Sequence, residues 1–201
     1  MTIESDIYHA KQLSNWFSDN VDGLSIIPGH NNKLAAACFS LVLDHHMAVI
    51  ILIENGRYSS AAALMRVHFD TYVRGCWLAF IADENAVRRF EEGKPPFMSV
   101  MIRALETHDA FNSGVLWNVK ERTWSILSDF AHSGIEQISR NLNGTFIDHN
   151  YSLQEIAEIL RQTSSLALLS VSQIGALTNN YELIEQANQR AQSFWTYREQ
   201  D

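Results

Sequence analysis

The chain has 201 residues, and its scarcities narrow the reading first. Three prolines and nine glycines are too few for a collagen-like chain, a linker-rich chain or a many-turned all-β fold. Two cysteines, Cys38 and Cys76, each among apolar neighbours, do not make a disulfide framework, and neither has a Cys or His partner at zinc-ligand spacing. They read as reduced core fillers. Positive charge is also short: 15 Lys and Arg stand against 23 Asp and Glu, a formal charge of −8. Tight binding to duplex DNA needs a basic footprint that this chain lacks. The first residues carry no basic stretch followed by an apolar one, so no signal peptide is read and a cytoplasmic location is expected.

Apolar spacing is helical almost throughout, which predicts an all-α fold: one multi-helix bundle over residues 1–201, with about seven to eight helices. Two apolar helices, residues 34–53 and 61–82, are expected at its centre. The first is long enough to cross a bilayer, but Asp44, His45 and His46 at its middle oppose that, so no membrane span is expected. Ser59 or Ser60 is expected to cap the second. Gly93-Lys94-Pro95-Pro96 breaks the chain before a helix over 97–110. A further helix from about 117 runs to 131, bends near Gly134 and continues to 141, and residues 143–150 form a loop. Ser152 and Glu155 have the capping-box spacing that starts a long helix.

Chemistry concentrates on two of these helices. Arg66, Asp70 and Arg74 recur at i, i+4, i+8, within an arc of roughly 80°. Two guanidinium groups flanking one carboxylate on an apolar helix form either a structural ion-pair ladder or a pocket for an anion. Asp129 and His132 lie at i, i+3, where a carboxylate orients an imidazole as a general acid or base requires. Gln137 and Arg140 follow on the same stretch. Arg103 and His108 have the R-x4-H spacing of HEPN ribonucleases; with eight histidines in the chain that spacing arises by chance, and the pair reads as a solvated helix face. No set of residues has the spacing of a metal site, and no cofactor fingerprint occurs.

Residues 63–75, with Arg66, Asp70 and Arg74, followed by Trp77, Leu78, Arg89 and Phe90, resemble the R-x-x-x-[ED]-x-x-x-R helix of an uncharacterised bacterial all-helical family. Trp124, Leu127, Asp129, His132, Ser133 and Gly134 match its W-x-x-L-x-[DE]-x-x-H-[SG]-G, Gln137 and Arg140 continue it, and Asn150-Tyr151 match a later N-Y. The resemblance covers about residues 60–165. Members commonly have Glu where Asp70 stands and Tyr-Thr where Phe130-Ala131 stand. The family implies no established activity; its layout is similar to loosely HEPN-like helical proteins of bacterial defence and toxin neighbourhoods.

From residues and resemblance together, His132 and Asp129 are candidate catalytic groups. Arg66, Asp70, Arg74, Gln137 and Arg140 are candidate ligand-binding groups, meeting where the two helices pack. The expected ligand is a phosphate-bearing small molecule or short RNA. The alternatives are a small-ligand sensor using the same pocket without turnover, and a non-catalytic acidic immunity or antitoxin protein that covers a basic partner. Aromatic Phe194, Trp195 and Tyr197 near the end favour a homodimer.

Overall fold

The computed structural model describes residues 2–196. It is 74% helical with nine helices among the described residues, one or two more than the periodicity predicts. Helix α1 (Ile3–Val21) opens on Thr2, whose hydroxyl accepts the Ser5 N–H, with Glu4 and Asp6 in the first turn. Acidic side chains there face the positive end of the helix dipole. Helix α2 (His30–Glu54) stops at Asn55, and Gly56 takes the left-handed conformation at φ +66°. Helix α3 (Tyr58–Phe80) then starts one residue before the serines expected to cap it. Arg57 is its N-cap without a side-chain bond, and Ser59 instead donates its hydroxyl to Asn141 Oδ1 at 3.1 Å.

Asp83 caps α4 (Glu84–Glu91) by accepting the Ala86 N–H at 2.8 Å. Helix α5 (Met98–Leu105) ends five residues earlier than its spacing predicts. The Glu106 side chain reaches forward to the Trp117 N–H at 2.8 Å, near the start of α6 (Val115–Ala131). The bend expected at Gly134 is a break. Ser133 adopts φ +54°, Gly134 is extended, and a separate five-residue helix, α7 (Ile135–Ser139), follows. The stretch expected as a loop holds a small antiparallel hairpin, β1 (Leu142–Asn143) and β2 (Phe146–Ile147), turning at Gly144 with φ +60°. The capping box forms as expected: Ser152 Oγ accepts the Glu155 N–H and Glu155 accepts the Ser152 N–H, opening α8 (Leu153–Leu177). Asn179 at φ +54° turns the chain, and Asn180 accepts the Leu183 N–H at 3.0 Å to begin α9 (Tyr181–Thr196).

Helices α2 and α3 are central, as expected, and α8 joins them as a third member, touching both. Helix α1 covers α2 and α8, α9 covers α8, and α5 and α6 cover α3. Phe39, Val42, Val49 and Ile50 of α2 are fully buried, as are Leu78 of α3 and Ile102 and Leu105 of α5. Each such side chain stabilises the fold by about 1.5–3 kcal/mol relative to exposure. Helix α2 is long and apolar enough to cross a membrane, but it packs on α1, α3 and α8. Gly75 sets the distance between α2 and α3: a Cβ there would stand 2.7 Å from the Phe39 ring. Cys38 and Cys76 are both free thiols.

Candidate functional site

The Arg66–Asp70 pair forms as the i, i+4 spacing predicts. Arg66 Nε donates to both Asp70 oxygens, at 3.1 and 3.2 Å. Its Nη1 donates to Ser128 Oγ on α6, and its guanidinium carbon lies 3.2 Å from the centroid of Trp124. Burial raises the Asp70 carboxyl above its usual range, and the nearby Arg66 and Arg74 charges pull it partly back. Arg74 makes no ion pair among the described residues, and its Nε is buried without a hydrogen-bond partner. Arg66 therefore grips the carboxylate from one side, and Arg74 stands by without completing the expected fork.

The cationic stack runs on along α6. Trp117, Lys120, Trp124 and Ser128 share one face of that helix, at i, i+3, i+7 and i+11. Lys120 Nζ lies 4.4 Å from the Trp117 centroid and 5.9 Å from that of Trp124, and the Arg103 guanidinium covers Trp117 at 4.6 Å. Arg103 and His108 have different neighbours. His108 stacks beside Phe80 at 5.1 Å and accepts the Ala110 N–H.

Asp129 does not orient His132. The break at Ser133 folds α7 back, and Asp129 Oδ1 accepts the Gln137 N–H at 3.0 Å. The carboxylate thus caps the start of α7, where free N–H groups need an acceptor. Gly134 makes this possible: a Cβ there would lie 2.1 Å from Asp129 Oδ2. His132 is exposed and has no side-chain hydrogen bond among the described residues. Gln137 and Arg140 belong to a second network. Gln137 Nε2 donates to the Ser59 carbonyl at 2.9 Å, and Asn141 Nδ2 donates to the Gln137 carbonyl. Arg140 donates to the Asn150 carbonyl, pairs with Glu155 and lies over Tyr151. Of these seven residues, Arg66 and Asp70 belong to one structural network and Asp129, Gln137 and Arg140 to another, while Arg74 and His132 bond to neither.

The large concavity lies along the adjoining flank of α6. A groove of about 750 Å³ opens between α3, α6 and α8. Its walls carry Met65, Phe69 and Tyr72 from α3, Leu116 and Leu127 from α6, and Leu166 from α8. On α3 these residues point away from the arc of Arg66, Asp70 and Arg74, and on α6 they lie on the flank that adjoins the tryptophan face. The charged groups on its wall, Glu158 and Arg161, pair with each other. His68 also lines the groove. Its Nε2 lies 3.1 Å from the Val42 carbonyl, an acceptor, so Nε2 carries the proton and Nδ1 is left as an acceptor. Nδ1 is buried without a partner. Burial, with the neighbouring His46 and His45 adding repulsion, lowers its pKa to about 3, so the ring is neutral.

The groove escaped the sequence reading because its three walls lie far apart along the chain. His68 alone gave a signal, as a lone imidazole on an apolar helix face. Among the described residues no three His, Cys, Asp or Glu side chains are placed to hold a metal ion.

Residues 39–197 match a family of unknown function, DUF6988, and the chain belongs to that family. This bears out the resemblance at the level of an uncharacterised family. No curated protein and no solved structure matches the chain.

Proposed function

We propose that this DUF6988 member is a non-catalytic binding protein, and that its ligand is one uncharged, largely apolar organic molecule carrying a hydroxyl or similar donor. The groove between α3, α6 and α8 carries this reading. Its volume of about 750 Å³ falls within the range of small-molecule sites, roughly 300–1,000 Å³. Its floor is apolar, its Arg161 is matched by Glu158, and the fully buried His68 behind its wall has an unpartnered Nδ1. A buried acceptor left unmatched costs about 1–3 kcal/mol, which a ligand hydroxyl that displaced the side chains covering Nδ1 would recover. A ligand carboxylate or phosphate would meet no free cation on these walls and would lose its hydration.

Isothermal titration with 1-decanol tests this. The full chain is expected to bind one equivalent, and decanoate at neutral pH is expected to bind at least tenfold more weakly. Thr123→Trp places an indole in the groove and should abolish binding of the alcohol. Absence of saturable decanol binding, or binding unchanged in Thr123→Trp, overturns the reading.

Arg74 favours a second reading. Its Nε is buried without a partner and it makes no ion pair among the described residues, which leaves a cation for a phosphate-bearing ligand or the end of a short RNA, the ligand class expected from the loosely HEPN-like resemblance. Saturable binding of adenosine monophosphate that Arg74→Ala removes would support it, and no binding would exclude it.

A further inference from the structure

The groove between α3, α6 and α8 is elongated, and its two ends differ. Val115 and Leu127, twelve residues apart on α6, both line it, which makes it about 18 Å long. Leu127 shares a core cluster with Met65 and Leu160, and Leu116 shares one with Tyr72 and Ile174, so α8 runs antiparallel to α6 along the groove. On α8, Gln162, Leu166, Leu169 and Gln173 recur at spacings of four, three and four and form one stripe. Gln162 therefore stands at the Leu127 end and Gln173 at the Leu116 end. The loop between α5 and α6 borders the latter, with Phe111 held edge-on to Phe80 at 5.4 Å. The C-terminal aromatics Phe194, Trp195 and Tyr197, from which the sequence reads a homodimer, lie outside the residues whose side chains are described.

Nearly every polar side chain on these walls already has a partner. At the Leu127 end Arg161 pairs with Glu158, and Gln162 donates to Glu158 at 2.7 Å. Thr123, Thr163 and Ser165 each donate to a carbonyl one turn back in their own helix. The Tyr72 hydroxyl hydrogen-bonds to Cys76. His68 Nδ1 is unpartnered, but it lies behind the wall. Ser113 is exposed to water at the rim. Gln173 is the exception: it is half-buried, on the wall, and without a hydrogen bond among the described residues. Its amide presents both donors and an acceptor at one end of an apolar trough.

We infer that Gln173 sets the ligand's orientation and head group, and that the ligand is an elongated apolar molecule ending in a primary carboxamide. This rests on the groove being the binding site. A primary carboxamide donates an N–H to Gln173 Oε1 and accepts one from Nε2, so both groups are matched in one planar pair. A single hydroxyl oxygen meets only one of them in good geometry. A carboxylate cannot donate to Oε1, and the Arg161 cation on these walls is taken by Glu158. With the head at Gln173, the apolar part lies along the trough past Tyr72 and Leu166 to Met65 and Leu127, where it covers apolar side chains.

Isothermal titration of the full chain with decanamide, and with N,N-dimethyldecanamide, which has no N–H to donate, tests the inference. Decanamide is expected to bind about tenfold more tightly. Gln173→Met keeps an unbranched side chain of similar length without the amide, and should bring the two within about twofold of each other, with the helical circular dichroism unchanged. In the isotope-labelled wild type, the Gln173 side-chain amide protons should shift on adding decanamide, a readout that needs no variant. Equal affinities in the wild type, a preference that survives Gln173→Met, or amide protons that do not move overturn the inference even where 1-decanol still binds. If 1-decanol and both amides all fail to bind saturably, the groove is not a binding site and the reading beneath falls as well.

Discussion

Arg66 stacks flat on Trp124, its guanidinium carbon 3.2 Å from the ring centroid, while Nε holds Asp70 at 3.1 Å. One side chain thus ties α3 to α6 by a cation–π contact and at the same time neutralises a largely buried carboxylate. Arg66→Ala removes both and leaves Asp70 without its ion-pair partner. The expected loss is about 3 kcal/mol, read as a fall in urea midpoint. Arg66→Lys keeps the charge but not the planar fork, and should recover less than half of that. A loss under about 1 kcal/mol for the alanine variant would show the pair to be a surface contact.

Asp129 and His132 should behave oppositely. His132 is exposed and has no side-chain hydrogen bond among the described residues, so His132→Ala is expected to change stability by no more than about 0.5 kcal/mol. Asp129→Ala loses the cap on the Gln137 N–H and should cost about 1–2 kcal/mol. Gly134→Ala should resemble Asp129→Ala, since a methyl there displaces the carboxylate. Denaturant curves for the three variants would show the grouping. A large loss for His132→Ala would mean that the imidazole has a buried partner.

The contrast between these two helices shows what is legible in sequence. The Arg66–Asp70 pair and the Ser152–Glu155 box are local, separated by four and three residues, and helix geometry alone places them. Asp129 meets Gln137 across eight residues only because Ser133 turns left-handed and α7 folds back, and a lone Gly134 does not announce that. The helix expected over 97–110 stops at Leu105. The tertiary bond from Glu106 to the Trp117 N–H marks its end. The all-α class followed from periodicity repeated along the whole chain. The groove depends on how α3, α6 and α8 diverge, which no single segment encodes.

The two central helices make a third test. Gly75 lets α3 approach the Phe39 ring, so Gly75→Ala must push the helices apart. Overpacking of this kind costs about 1–3 kcal/mol. The variant should therefore melt several degrees below wild type, and Phe39→Leu in the same chain should recover part of the loss. No recovery would place the strain elsewhere.

Acid should destabilise the fold through two buried histidines. Burial lowers His46 to about 4 and His68 to about 3, against 6.5 in the unfolded chain. The folded state therefore binds fewer protons than the unfolded one between these values. Stability is complete above about pH 6.5 and falls as pH drops towards the folded values. The unfolded rings are half protonated at pH 6.5 and approach the full slope of about 1.36 kcal/mol per pH unit only below it, so the two rings together lose about 3 kcal/mol between pH 6.5 and 5. Urea midpoints across that range would measure it. A flat profile would mean that neither ring is held neutral.

The groove is the centre of the account, and nuclear Overhauser effects from bound 1-decanol to isotope-labelled methyl groups test it most directly. The account predicts contacts from the decyl chain to the methyls of Met65, Leu116, Leu127 and Leu166, which line the cavity. Contacts only to Ile138 or Ile147 on the hairpin face, or none at saturating alcohol, would contradict it.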